Sequence, residues 1–251
     1  MVCGINLFQR NYQTNLYECM NKAYQHIFFD LDRTLWDFDK NSSEALAEIF
    51  DHFNLHSLGV SSCELFSSKY KEINDQKWDA YRRGRLRKKE LRLQRFTDVL
   101  AHFGCYDLAL GGQIDRFYIS VSPHKTALLP GTLETLDYLS SKYKMHIITN
   151  GFEEVQHIKM RKSGITQFFD VVMTSERAMA RKPDPAVFKL ALAEARAKAV
   201  HSIMIGDDLG TDISGARGVW MDQVYFNPKK MVHNDDVTHE IERIDQLKSI
   251  L

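Results

Sequence analysis

An apolar run that stops at two carboxylates constrains this chain more than any other feature in it. Ile27, Phe28 and Phe29 read as a buried strand, and Asp30 and Asp32 follow at once, with a hydroxyl at Thr34. Carboxylates do not belong in a strand interior. They are tolerated where a strand leaves its sheet, and in open α/β sheets that carboxyl edge is where ligands bind. Two acids this close repel each other and raise one pKa unless a cation sits between them. Residues 26–35 therefore require a metal ion, a proton, or both.

The same pattern recurs further on. Strands are predicted at 145–148, running into Thr149-Asn150-Gly151; at 169–173; at 202–205, running into Gly206-Asp207-Asp208 with Asp212 beyond; and at 223–226. Helical periodicity fills the gaps at 132–142, from 151 to about 163 with Gly164 as its stop, and at 185–198, where Asp184 caps and Pro185 takes the first position. Strands alternating with helices imply a parallel sheet covered on both faces, an α/β, Rossmann-like, three-layer core. One stretch breaks the alternation. From about 39 to 122 only helices are predicted: one opened by Asn41-Ser42-Ser43-Glu44, then 63–83, 88–103 and 112–120. This reads as an inserted helical cap over residues 39–122, lying above the acidic loop like a lid, with the core made of 20–38 and 123–251.

Lysine plus arginine balances aspartate plus glutamate at 33 each, so no bulk field selects nucleic acid or a membrane, and no apolar run has membrane-spanning length. The four cysteines (Cys3, Cys19, Cys63, Cys105) are scattered, without a Cys-x-x-Cys pair, which argues against zinc and suits a reducing cytoplasm. Residues 1–19 lack the build of a signal peptide and are expected to be a poorly ordered extension, with Met20 as the native start.

In a parallel sheet the strand ends share one edge. Asp30 and Asp32, Thr149 and Asn150, and Asp207 and Asp208 should converge there, with Lys182 arriving from a loop. Carboxylate oxygens suit a hard ion such as Mg²⁺, which keeps waters and takes phosphate as a further ligand. Lys182 and Thr149 can bind the remaining phosphate oxygens. With its own charge and the phosphate's offset by metal and lysine, Asp30 becomes a credible nucleophile toward phosphorus.

Asp30-x-Asp32-x-Thr34, Thr149-Asn150-Gly151, Lys182-Pro183 and Gly206-Asp207-Asp208-x-x-x-Asp212 resemble, in order, the four motifs of the haloacid dehalogenase-like (HAD) hydrolases. The resemblance spans about residues 24–226 and extends to the helical insertion, which is similar to that family's C1 cap. It implies that Asp30 forms an aspartyl-phosphate and that Asp32 protonates the leaving oxygen and then activates water. It also implies that Thr149 and Asn150 orient the phosphoryl group, that Lys182 neutralises charge, and that Asp30, Asp207 and the backbone carbonyl of Asp32 ligate Mg²⁺. Asp208 and Asp212 would hold water ligands or position Lys182. An acid at position 32 favours phosphate esters, since dehalogenases lack one there. Thr149 to Phe152, Glu154-Val155-Gln156, Lys162 to Ile165 and the cap run Trp78, Gly84, Leu91-Arg92 and Arg95-Phe96 are similar to the YjjG-like branch of pyrimidine nucleoside 5′-monophosphatases. Sialic acid 9-phosphate phosphatases share much of this pattern.

Plainer readings stand beside these. Aspartate after a strand is common in turns, Thr149-Asn150-Gly151 alone is a turn signal, and Asp207-Asp208 alone could be a helix-entry pair. The basic run Arg82, Arg83, Arg85, Arg87, Lys88, Lys89 and Arg92 reads first as a solvated helix junction, although Arg92 and Arg95 could face a leaving group. Trp78 and Phe96 are more often core than a stacking platform. The reading that follows is a Mg²⁺-dependent phosphomonoesterase acting on a small phosphorylated metabolite, a nucleoside monophosphate first and a sugar phosphate second. From another class, the alternative is a non-catalytic binding protein on the same scaffold.

Overall fold

Six strands, β1 (His26–Phe29), β2 (Lys144–Thr149), β3 (Val171–Thr174), β4 (Ser202–Gly206), β5 (Asp222–Phe226) and β6 (His239–Ile241), form one parallel sheet in the order β3-β2-β1-β4-β5-β6. This is the arrangement in a computed structural model that describes residues 24–251. The expectations for residues 1–19 and Met20 lie outside the described residues. The strand order reverses between β1 and β4, and at such a switch point the loops leave in opposite directions and open a crevice. Asp30 begins immediately after β1, at that point.

Alternation along β1 sends Ile27 and Phe29 to one face and Phe28 to the other. On the first face they pack with Ile147, Ile205 and Val224 under Leu136, Leu139 and Met160; on the second, Phe28, Ile148 and Met204 meet Val187, Phe188 and Ala191. Helices α5 (Thr132–Ser140) and α6 (Glu153–Lys162) supply the first layer and α8 (Pro185–Ala195) the second, with the one-turn α7 (Ser175–Ala178) after β3.

The cap consists of α1 (Phe38–His52), α2 (Cys63–Arg82), α3 (Lys88–His102) and α4 (Leu108–Val121), packed around their own apolar centre of Leu46, Ile49, Phe66, Tyr70, Phe96, Leu100 and Ile114. Phe96 is thus core. No helix among the described residues is long and apolar enough to cross a membrane.

Several bounds differ from the sequence reading, each for a local reason. Helix α1 starts at Phe38, three residues before the expected Asn41, because Asp37 accepts from the Lys40 N–H at 3.0 Å and caps it. Asn41 and Ser42 are buried instead. Asn41 donates to the Ala127 carbonyl at 2.8 Å and accepts from its N–H at 3.0 Å, fastening the cap to the core, and Ser42 meets the Tyr118 hydroxyl. Helix α4 begins early, at Leu108, because Asp107 caps it. Helix α8 ends at Ala195, where Arg196 turns left-handed. Strand β6 lies beyond what sequence pattern shows: three residues carry too little periodicity, and pairing with β5 defines it.

Candidate active site

The loop after β1 is built by its backbone. Leu35 and Trp36 both donate to the Leu31 carbonyl, and Arg33, at φ +64°, donates to Trp36. Asp30 is fixed to the sheet by its N–H, which donates to the Ile205 carbonyl at 2.9 Å. The Arg33 guanidinium reaches up to Asp75 of α2 at 3.1 Å.

Lys182 is buried to 1 % exposure, and its ammonium lies 2.5 Å from Asp30 Oδ1 and 2.6 Å from Asp212 Oδ1 and donates to the Ile148 carbonyl at 2.7 Å. Burial alone would lower its pKa, but the two carboxylates outweigh that and raise it. Asn150 holds both backbone polar groups of Lys182: its Nδ2 donates to the Lys182 carbonyl and its Oδ1 accepts from the Lys182 N–H. The side chain expected to orient a phosphoryl group is here the holder of the lysine.

Oxygens of Asp30, Asp207 and Asp212 lie within 4.8 Å of one another. Burial pushes all three carboxyls up, against the pull of Lys182: Asp30 goes well above the usual range, and Asp207, with Asp212 adding to the effect of burial, to about 7. Lys182 pairs with only two of these three acids, Asp30 and Asp212, and three clustered carboxyls that outnumber their cation are the hard oxygen donor set a Mg²⁺ ion takes. Asp212 is a member of this cluster as well as a partner of Lys182. Asp208 caps the turn beneath, accepting from Gly210 and Thr211 N–H. Gly206 is required here, because a Cβ on it would stand 2.2 Å from Asp212 Oδ2.

Asp32 is held apart from this cluster. Its Oδ1 lies 2.5 Å from Lys159 Nζ and its Oδ2 accepts from Gln156 Nε2 at 2.8 Å. The same Gln156 nitrogen donates to Thr149 Oγ1 at 2.7 Å. Gln156 and Lys159 are buried on the inner face of α6, one turn apart, with the Lys159 ammonium 4.1 Å above the Trp36 ring. Gly151 makes room, since a Cβ there would meet Gln156 at 1.9 Å. The sequence motifs assign no role to this pair. Two polar residues at i, i+3 on the inward face of a helix that follows the Thr149-Asn150 strand end were the available signal.

A cavity of about 160 Å³ lies between these groups and the cap, lined from the core by Asp30, Asp32, Thr149, Lys182 and Asp207 and from the cap by Asn74, Trp78, Arg92, Arg95 and Tyr118. Arg95 is already bonded to Asp115 at 2.7 Å and to Tyr70. Arg92 bonds Glu154 at 2.7 Å and, with Lys88, lies over the Phe152 ring. Lys88 also pairs with Glu154 and Glu176, while Arg83 and Arg85 pair with Asp79. Much of the basic run is therefore answered by acids of this chain, and two of its members tie the cap to the core.

The sequence model of the haloacid dehalogenase-like hydrolases matches residues 27–225. The HAD-hydrolase YfnB of Bacillus subtilis is 28% identical over 233 residues, covering 92% of this chain and 96% of that one. Its crystal structure, described as bound to magnesium and as revealing interdomain movement, superposes with a TM-score of 0.83, covering 91% of this chain and 98% of that one at 26% identity. The pyrimidine 5′-nucleotidase PynA of Streptococcus pneumoniae is 29% identical over 87% of this chain and 91% of its own length. The pyrimidine 5′-nucleotidase YjjG of Escherichia coli is 27% identical over 80% and 85%.

Proposed function

The chain belongs to the haloacid dehalogenase-like hydrolases, and from that premise we propose that it is a Mg²⁺-dependent phosphomonoesterase of nucleoside 5′-monophosphates, acting in the cytoplasm through an aspartyl-phosphate. One observation carries the reading: Asp30 stands on Lys182 at the mouth of a capped cavity, with Asp207 and Asp212 beside it. Similarity to PynA and YjjG supports the choice of nucleotides.

Asp30, Asp207 and the Asp32 backbone carbonyl would hold the ion, with Asp212 in the same cluster. Bound there, Mg²⁺ supplies the positive charge that lets one anion approach another. The remaining chemistry belongs to this chain. An Asp30 carboxylate oxygen bonds to phosphorus as the ester P–O bond breaks, and Asp32 gives its proton to the departing oxygen. Asp32 then takes a proton from water, whose oxygen attacks the phosphorus, and the bond to Asp30 breaks to release phosphate. Lys182 offsets the charge that gathers around Asp30 throughout. Thr149 Oγ1 keeps its own proton free to face a phosphoryl oxygen, since its contacts with Gln156 and the Gly151 N–H are ones in which it accepts. Asn150 acts through Lys182.

The test is phosphate release from a panel of pyrimidine nucleotides, purine nucleotides and sugar phosphates, with Mg²⁺ and with EDTA, for wild type and Asp30→Asn. Release that needs Mg²⁺, favours nucleotides and is lost in Asp30→Asn is the expected result. Wild-type protein inert on the whole panel would overturn the enzyme reading, and a sugar-phosphate preference would overturn the substrate class.

A further inference from the structure

Asn74 lies at 1 % exposure on the α2 face that looks into the cavity. Among the described residues its Oδ1 is buried without a hydrogen-bond partner. An amide buried and unpaired is a net cost to the fold, which is why such groups are rare in a packed interior. Several neighbouring side chains on this wall have partners: Asp75 pairs with Arg33, Arg92 Nη2 with Glu154, Arg95 with Asp115 and the Tyr118 hydroxyl with Ser42, although Arg92 Nε has none among the described residues. One helical turn beyond Asn74, on the same wall, stands Trp78, its ring centroid 5.1 Å from that of Phe152. Among the described residues, the wall thus presents the Asn74 carboxamide, with no partner on its oxygen, beside flat aromatic surface.

We propose that Asn74 is the specificity-determining residue with which the cap reads the base of the nucleotide, an inference that rests on the nucleotidase reading above. A carboxamide presents a donor and an acceptor side by side. The Watson–Crick edge of a nucleobase presents the matching pair, a carbonyl next to a ring N–H in uracil, or an amino group next to a ring nitrogen in cytosine. Rotation of the amide by half a turn serves either. Ribose and phosphate alone carry no such planar pair, so an abasic ester of the same phosphate gains nothing from Asn74. A site built around a polar partner discriminates strongly because a substrate lacking that partner leaves the amide unpaired.

The measurement is kcat/KM with Mg²⁺ for uridine 5′-monophosphate, cytidine 5′-monophosphate and ribose 5-phosphate, in wild type, Asn74→Ala and Asn74→Asp. The expected result is that both variants lose the preference for nucleotides over ribose 5-phosphate by about ten- to a hundredfold. An equal fall on all three esters, including a general loss through misfolding in one variant that the other does not relieve, would overturn the assignment. Retention of the wild-type preference, or a loss confined to ribose 5-phosphate, would do so too. A wild-type enzyme that hydrolyses ribose 5-phosphate but neither nucleotide removes the nucleotidase reading itself and this inference with it.

Discussion

The Lys159 ammonium lies 2.5 Å from Asp32 Oδ1, so the second acid of the loop after β1 has a lysine of its own, distinct from the Lys182 that serves Asp30. The crowding of two carboxylates at one strand end is thereby resolved by two separate ion pairs drawn from opposite sides, α6 and the loop before α8. Lys159→Met removes the partner that fixes the Asp32 carboxylate. Steady-state kinetics with a small phosphate ester should show kcat reduced by roughly ten- to a hundredfold with KM little changed, since a misplaced acid–base group slows chemistry more than binding. A variant with unchanged kcat would show that the pair is ornamental.

The acid cluster makes metal binding and pH interdependent. In the folded chain without metal, burial and then Asp212 hold Asp207 at about 7, against its ordinary 3.8. Its folded-state pKa is raised, so its contribution to stability is full below the unfolded value and is lost as pH rises through about 7. Mg²⁺ competes with that proton. The gain in thermal midpoint on replacing EDTA with Mg²⁺ should therefore grow as pH is raised from ~5 to ~8, a trend that thermal melts across that range would read directly. A gain independent of pH would remove Asp207 from the ligand set.

Gly206→Ala places a methyl group where Asp212 Oδ2 now stands. Asp212 would have to leave both Lys182 and the Asp208 N–H, which it holds at 2.6 and 3.2 Å. Denaturant unfolding should show a loss of ~1–3 kcal/mol, the usual cost of overpacking. A Mg²⁺ titration should show weaker binding in the same variant.

Glu154 receives both Lys88 and Arg92 from the cap. All three side chains are partly exposed, so Glu154→Gln should cost no more than ~1 kcal/mol of global stability. Its effect should fall on the fit between cap and core: a raised KM, and a KM whose dependence on salt is flatter than in wild type. Kinetics at low and high ionic strength would separate this from a loss of stability.

How much of this was legible beforehand divides along physical lines. Runs of apolar residues with polar stops report strands and their ends, so the parallel sheet, the helical insertion and the candidate groups Asp30, Asp32, Thr149, Lys182 and Asp207 could be named from local pattern and from motif order. Caps shifted helix ends where one side chain chose a different N–H, as at Asp37, and β6 escaped because three residues hold no period.

Pattern could not say which acid meets which base. The sequence by itself determined that carboxylates, a hydroxyl, an amide and a lysine reach one sheet edge, because each sits at the end of an element whose direction local residues dictate. Only the tertiary structure decided the pairing: Lys182 with Asp30 and Asp212, Lys159 and Gln156 with Asp32, Asn150 with the Lys182 backbone, Arg95 with Asp115. It also left Asn74 Oδ1 without a hydrogen-bond partner among the described residues. Hydrogen bonds and ion pairs act over about 3 Å, and whether residues on different elements, some more than a hundred positions apart, come that close depends on how the layers pack.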